Sequence, residues 1–564
     1  MEAKARKKKP KNIFFDLSHT HYPSVKQCVE EMGYKESENE RKAIVVWYDS
    51  GGSSEVLSSL YPWQIYNHFP GMWSIANKVD MARNLDRMSR LLPHYYNFYP
   101  KTFLIPSQTA DFKKYFYQQQ KNNKQTFIVK PDQGCQGKGI ILIQDPDYLY
   151  DYFESAVCQE YISPFLIDGY KFDLRIYALI TSIDPLRIYI YNEGMARFCT
   201  ELYKAPKASN LTQVYSHLTN YSLNKKNDSF VQPKDALNPN EGSKRSLTNI
   251  YSAIQQAGGD IGSIKERIDE IIRLTIASIQ PELCERYHSS CSVCDGKSRC
   301  FEVLGYDILI DKNFNPWLLE INNMPSLSID SPFDTFLKKS LIKDALRILD
   351  LKSTFKKDII KYQRAVSQKR ISGKTDLPIK VVFDPDNEMA IANTTQWRQI
   401  YPCNNNQVSI DIALQQSKCY RIGVAIESKT SKIRRENRIS QTKVVESKKC
   451  HAKPREFKPP VKKSIPKPTY ISDQIIIIHN DLAPSFINDT EEKERAALIR
   501  AQINKSQEIK MSCYIRSIIN TLSPLPPLIP NSTKEPKTIQ KSSSTKVVIK
   551  PLVYNKQYLF LNDQ

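Results

Sequence analysis

Three oxygen-bearing side chains, Asp307, Glu320 and Asn322, are spaced so that one β-hairpin could bring them to a single metal ion. Two apolar runs, Cys300 to Asp311 and Pro316 to Ile321, flank Lys312-Asn313-Phe314-Asn315 and predict that hairpin. If Asp311 and Pro316 close the turn as a pair, Asp307 stands opposite Glu320. Asn322, two residues on, then shares the face of Glu320. Two facing carboxylates repel unless a cation lies between them. With an amide oxygen beside them they suit Mg2+, which keeps waters and phosphate oxygens as its other ligands.

A second group surrounds the glycines of Val129-Lys130-Pro131 and Gly134-Cys135-Gln136-Gly137-Lys138-Gly139. A lysine at a strand end, followed by a flexible loop, can place an ammonium and several backbone N–H groups around phosphate oxygens. The spacing is not that of a Walker A loop, and taken alone a glycine turn between lysines is unspecific. A third group mixes charge signs: Lys171, Asp173 and Arg175 alternate along one strand face. Arg197, the run His217-Leu218-Thr219-Asn220-Tyr221-Ser222 and Lys244-Arg245 follow. Cations of this kind suit phosphate and carboxylate handling.

These residues need strands to hold them. Ala43 to Trp47 reads as a first strand and Trp73 to Leu92 as a helix carrying Lys78, Arg83, Arg87 and Arg90. Thr126–Lys130 and Ile140–Ile143 read as a hairpin around the glycine loop. Strands follow at 156–162, 171–181 and 187–191, helical periodicity over 244–288 and a helix over 331–349. The predicted class is α+β with largely antiparallel strand pairs. Residues 1–42 read as a polar, frayed extension apart from Ile13-Phe14-Phe15. The body spans 43–350, with lobes at 43–110, 111–182 and 183–350. A basic helix over 351–372 precedes a largely disordered tail over 373–564, rich in Pro, Ser and Lys, with one amphipathic helix at 489–522.

Composition narrows the class. The 564 residues carry 81 Lys+Arg and 60 Asp+Glu, a net charge of +21. Up to Asp350 there are 43 basic against 41 acidic side chains; after it there are 38 against 19. A near-neutral body therefore carries a basic extension suited to a polyanion. No run approaches a membrane span and no apolar stretch follows the basic N-terminus, so neither a membrane protein nor a secretory signal is expected. The 12 cysteines read as reduced, cytosolic thiols. Cys284, His288, Cys291, Cys294 and Cys300 lie close together, but with one CxxC and no standard finger spacing they read as free thiols rather than a zinc site.

From Phe69 to Leu349 the chain resembles the tubulin–tyrosine-ligase-like family, most closely its polyglutamylase branch. The matching blocks, in order, are FPGM, KPDQGCQGKGI, FLIDGYKFDLRIY, DPLRIYIYNEGMARF, HLTNYSLNK, GSKR, CFEVLGYDILID and PWLLEIN. The resemblance implies an ATP-grasp fold, with antiparallel sheets clamping the nucleotide, and an ATP- and Mg2+-dependent ligase. By position, Lys130, Gln136 and Gly137 touch phosphates. Gln159, Glu160, Tyr161 and Ile162 hold the adenine through backbone groups, Lys171 with Asp173 contacts phosphate and ribose, and Phe172 counts with the ATP-binding residues. Thr219 and Asn220 also line the nucleotide site, and Lys78 and Arg175 are further phosphate candidates. Arg197, Tyr221, Ser222 and Lys244 hold the incoming amino acid, and Asp307, Glu320 and Asn322 bind metal. Catalytic roles fall to Arg175, Arg197 and Glu320. The run Asn322-Asn323-Met324-Pro325 departs from close relatives, which more often carry His-Ser before the proline.

The implied reaction joins free glutamate to glutamate side chains of tubulin tails through an acyl phosphate. A glycine ligase and a catalytically silent microtubule-binding protein are the alternatives. The expected partner is the acidic microtubule surface, met by the basic segment from Leu351 to Arg370. The protein is expected to be monomeric, in the cytoplasm and cytoskeleton, at a cilium, axoneme or basal body. Nucleic acid is not an expected partner, because the tail lacks the aromatic interleaving of a stacking surface.

Overall fold

The computed structural model describes residues 12–422 apart from 38, 40, 120–124, 135–136, 151, 238, 292–296, 373–384 and 404–406. Gln136 and the helix expected at 489–522 lie outside the described residues.

The chain begins with β1 (Phe14–His19), α1 (Pro23–Glu31), β2 (Lys35–Glu36), β3 (Val45–Tyr48), α2 (Ser54–Ser59) and β4 (Ile65–Tyr66). The four strands form one sheet in the order β2-β1-β3-β4, and every pair in it is parallel. Two expectations are corrected here. The segment from Ile13 to Lys42 is not a frayed extension, and the strand at 45–48 is the third, not the first. The signal was local: Val25, Cys28 and Val29 fall at helical spacing and bury beside Phe15 and Leu17. The surrounding polar residues hid it.

Next come α3 (Trp73–Ala76) and α4 (Lys78–Leu91), where one helix was expected. Asn77, in extended backbone, separates them. The strands β5 (Thr102–Ile105), β6 (Phe127–Pro131), β7 (Ile141–Ile143) and β8 (Ala156–Glu160) form an antiparallel sheet in the order β5-β8-β6-β7, with α5 (Thr109–Gln119) packed on it. The hairpin β6–β7 carries the glycine loop, as its sequence predicted.

The largest sheet has eight strands: β9 (Leu166–Ile167), β10 (Tyr170–Ile183), β11 (Leu186–Tyr191), β12 (Met195–Phe198), β13 (Lys244–Ser246), β14 (Glu302–Ile310), β15 (Pro316–Asn322) and β16 (Trp397–Tyr401). Two short helices, α6 (Val214–His217) and α7 (Tyr221–Asn224), follow β12, and α8 (Leu247–Gln256) and α9 (Ile261–Ser290) follow β13. The long strand β10 shows how the sheet is built. Phe172, Leu174, Ile176, Ala178 and Ile180 point into the core shared with α9. On the other face Lys171, Asp173 and Arg175 give way to Tyr177 and Leu179, which join the core with β1 and β3. One strand thus supplies core on both faces and a charged site at its start. The lobe boundary expected at 182/183 falls inside this strand.

The helix α10 (Pro332–Ile348) starts on Ser331, whose Oγ accepts from Asp334 N at 3.1 Å. Then α11 (Phe355–Ile371) buries Phe355 and Ile359 and exposes Lys357, Lys361 and Arg364. The expected disordered tail is corrected in its first part. Residues 385–422 form α12 (Pro385–Ala392), β16 and α13 (Gln407–Ile422). These elements are too short to fold alone. They gain order by completing the body: β16 pairs with β11, and buried Glu388 accepts from Thr181 Oγ1 at 2.6 Å, Arg187 Nε at 3.0 Å and Tyr189 Oη at 2.9 Å. Removing a carboxylate from beside a buried guanidinium is costly. Glu388→Ala is expected to lower the unfolding free energy by about 3 kcal/mol in urea titrations followed by circular dichroism; an unchanged midpoint would show that α12 is not a structural clasp.

Candidate active site

The hairpin β14–β15 reaches the expected pairing by an unexpected route. Asp311 N bonds Asn315 O at 3.0 Å, and the ladder opens with Ile310 opposite Pro316, one residue from the expected register. A bulge at Leu319 then shifts the pairing back, so that Asp307 does face Glu320. Asn322 lies alongside, its Nδ2 3.4 Å from Asp307 Oδ2 and 3.5 Å from Glu320 Oε1. The three metal candidates therefore converge.

The two carboxylates have opposite surroundings. Asp307 accepts from Arg175 Nε at 2.6 Å and Nη2 at 3.2 Å, and Arg197 Nη2 lies 2.7 Å away. Burial acts to raise its pKa, but the two guanidiniums outweigh it and hold this carboxyl well below the usual range. Glu320 has no cation within 4 Å among the described residues, and burial, reinforced by Asp307, raises its pKa. Gly305 makes the arrangement possible: a Cβ there would stand 3.1 Å from Arg175 Cδ and 3.2 Å from Nε and from Pro325.

Charged residues continue across the sheet in register. Lys244 on β13 lies opposite Arg197 on β12, which lies opposite Asp173 on β10. Two residues further along β10, Arg175 faces Asp307, which faces Glu320. Arg197 bonds both Asp173 and Asp307. Burial raises the Asp173 carboxyl, against the opposing pull of Arg197.

One pocket between the second and third sheets collects most of the predicted nucleotide residues. From the second sheet and the hinge come Lys130, Gln159, Glu160, Tyr161 and Ile162. From the third come Lys171, Asp173, Arg197, Asp307 and Glu320, and the segment after α6 adds Thr219 and Asn220. Gly137 (φ +82°) closes the loop against Asn220, where a Cβ would meet Oδ1 at 3.1 Å. Lys78 Nζ sits outside the pocket lining and donates to the Gly134 carbonyl, so it braces the loop from behind.

Phe172, between Lys171 and Asp173, presents its side chain elsewhere. It lies on the opposite strand face, buried and stacked on Phe198 at 5.2 Å, because neighbouring residues of a strand point to opposite sides. Arg175 is likewise behind Asp307 rather than in the lining. The amino-acid candidates gather beside Arg197: Lys244 Nζ lies 3.7 Å from the Tyr221 ring centroid and 2.7 Å from Asp334 Oδ2. Ser222 follows Tyr221 on α7 and is half-buried.

Two buried ammonium groups define the pocket's electrostatics. Lys130 Nζ donates to Gln159 Oε1 at 2.8 Å and Lys171 Nζ to Tyr161 Oη at 2.9 Å. Both partners are neutral, and among the described residues no carboxylate lies within 4 Å of either lysine. Burial consequently pushes each lysine down to about 8. A buried cation without an anion marks a place for one.

Sequence reasoning gave no role to two residues here, His217 and Asp334. Burial and Lys171 push His217 down to about 4, so the ring is neutral and its Nδ1, 3.2 Å from Tyr161 Oη, can accept a hydrogen bond from that hydroxyl. Its type and its neighbours Thr219 and Asn220 were visible in sequence, but its contact with Tyr161 was not. Asp334 is buried between Lys244 and Lys338, the latter 3.0 Å from its Oδ1. In sequence Ser331 and Asp334 look like an ordinary helix start. A cavity of about 570 Å3 lies elsewhere, lined by α3, α4, β5 and Glu282 of α9. Its Arg83 and Arg90 are paired with Asp80 and Asp86, so it offers no excess charge.

Residues 56–359 match the model of the Tubulin-tyrosine ligase family. The tubulin polyglutamylase TTLL6 of Mus musculus is 41% identical over 360 residues, 64% of this chain and 43% of that protein. The tubulin polyglutamylase TTLL7 of Homo sapiens is 39% identical over 387 residues, 67% of this chain and 43% of its own length. A probable beta-tubulin polyglutamylase of Tetrahymena thermophila is 36% identical over 396 residues, 69% of this chain and 33% of that protein. The chain thus spans less than half the length of these curated relatives. With the family match covering more than half of its residues, the pocket, the paired carboxylates and the glycine loop are those of a chain that belongs to the tubulin-tyrosine ligase family.

Proposed function

We propose that the chain is an ATP- and Mg2+-dependent ligase that joins free glutamate to glutamate side chains of tubulin C-terminal tails. The observation that carries this reading is the pair of buried ammoniums, Lys130 and Lys171, facing a carboxylate pair with Asn322 at its edge. The donor set fits its ligands: two carboxylates and one amide oxygen for Mg2+, and two cations without anionic partners for phosphate oxygens. Bound Mg2+ supplies charge neutralisation at the phosphates.

The chain's own groups do the rest. Lys130 and Lys171 hold phosphate oxygens and draw charge from the γ-phosphate as an acceptor carboxylate attacks it, with ADP leaving and an acyl phosphate forming. Arg197 and Lys244 hold the free amino acid. Its amine attacks the acyl carbon, loses a proton, and expels phosphate to leave an isopeptide bond. Positioning and fixed charge are the protein's contribution.

Glutamate is favoured over glycine because Lys244 and Lys338 share one carboxylate, Asp334. Two ammoniums against one carboxylate leave a positive charge suited to a side-chain carboxylate. Incorporation of labelled Glu, Gly and Tyr into microtubules with ATP tests the reading. Glutamate alone supports it, glycine alone favours the glycine ligase, and no incorporation with retained microtubule binding favours a silent binder.

Nucleotide affinity is expected to depend on pH with a definite sign. Both lysines are charged below about 8 and lose their protons above it. ATP affinity should therefore hold from pH 6.5 to 7.5, as a rough working range, and fall as pH rises beyond about 8, by up to about tenfold per unit for each lysine. Titration of fluorescent ATP across that range checks this; affinity that rises with pH contradicts it.

The helix α11 supports a tether to an acidic filament, since its exposed Lys357, Lys361 and Arg364 point away from the buried Phe355 and Ile359. Such binding places the protein on the cytoskeleton, with a cilium or axoneme as the proposed site. Microtubule co-sedimentation should weaken with added salt, and reversing these three charges should remove most of it at low salt. Salt-insensitive binding would refute the tether.

A further inference from the structure

Away from the nucleotide pocket, α9 carries a polar stripe against the β10–β11 turn. Gln280, Cys284 and His288 recur at four-residue spacing and so lie along one helix face. Gln280 Nε2 donates to Ile183 O at 2.8 Å and to Cys284 Sγ at 3.0 Å. The Cys284 thiol points at Ile183 O, 3.5 Å away, and His288 Nε2 lies 2.9 Å from Asp184 Oδ2. One sulfur, one ring nitrogen and one carboxylate oxygen of Cys284, His288 and Asp184 all lie within 4.8 Å of one another.

This is not the cluster that cysteine spacing draws attention to. Cys291 and Cys300 are buried, the Cys291 thiol bonding Tyr287 O and the Cys300 thiol lying near it. Cys294 lies outside the described residues. The third donor is instead Asp184, about a hundred residues earlier in the chain. We propose that Asp184, Cys284 and His288 form a binding site for a zinc-class divalent ion, separate from the Mg2+ candidates and independent of the ligase reading.

The donor chemistry selects the ion. A thiolate and an imidazole favour Zn2+ and its neighbours over Mg2+ or Ca2+, which take oxygen ligands. Three protein donors leave a fourth tetrahedral position to water. For bond lengths of roughly 2.0–2.3 Å the donors must close by about 1 Å. Exposed Asp184 and His288 can make that movement, since only a helix face and a turn are involved. Burial and Asp184 push the Cys284 thiol up to about 12, with the Lys418 ammonium opposing them. Binding therefore displaces the thiol proton to solvent as the metal–sulfur bond forms. The bound ion would brace α9 against the end of β10, the strand that carries Lys171, Asp173 and Arg175 at its start.

The test uses the full chain, reduced and stripped of metal by a chelating resin, titrated with Co2+ alone. A thiolate-to-cobalt charge-transfer band should grow to one equivalent and vanish on addition of Zn2+. Co2+ at the oxygen ligands of the nucleotide pocket gives no such band, so the two sites are told apart. Cys284→Ser should abolish the band. Asp184→Asn and His288→Ala, both at exposed positions that leave the fold intact, should each weaken Co2+ binding by at least about tenfold. No band in the unmodified chain, an undiminished band in Cys284→Ser, or unchanged affinity in both exposed variants would overturn the proposal.

Discussion

Glu320→Gln is expected to abolish incorporation of labelled glutamate into microtubules while leaving the fold as stable as before. The loss should exceed about a hundredfold, because the proposed Mg2+ ligand at the developing phosphate charge is removed. Stability should not fall, since Glu320 forms no ion pair within 4 Å among the described residues and faces another carboxylate. A neutral side chain of the same shape relieves that repulsion. Thermal unfolding measured beside the incorporation assay separates the two effects. Wild-type incorporation would remove Glu320 from the chemistry, and a collapsed fold would mean that its charge is structural.

Asp307→Asn should behave differently although it removes the other half of the same pair. Its carboxylate is the shared acceptor of Arg197, which is buried, and Arg175, which is largely so. Taking that charge away leaves two guanidiniums in the interior with less compensation, at a cost of about 3–5 kcal/mol in unfolding free energy. Activity should be lost as well. Urea unfolding of the two variants side by side is the measurement: Asp307→Asn falls and Glu320→Gln does not. Equal stabilities would show that the arginines are neutralised mainly by Asp173, not Asp307.

The contrast between these variants marks how far the sequence could be read. The facing of Asp307 and Glu320 followed from strand periodicity, and it survived a wrong turn register only because the bulge at Leu319 restored it. The glycine-loop hairpin was legible for the same local reason. Residues 13–42 were misread because short apolar patches among polar residues show no partner until β1 and β3 are paired. Residues 385–422 were misread because Trp397 and Ile400 are buried only by the edge of β11 and the helices around it.

By itself, then, the sequence determined the residue types, the two hairpins and the skew of positive charge toward the residues after Asp350. These depend on neighbours a few residues apart. Only the tertiary structure decided which charges meet. The strand order sets β14 beside β10, more than a hundred residues away in the chain, and so aligns Lys244, Arg197 and Asp173 in one row and Arg175, Asp307 and Glu320 in the next. The apolar alternate residues of β10 and β14 fix that register by burying against α9, and a one-residue slip would turn every one of these charges into the core.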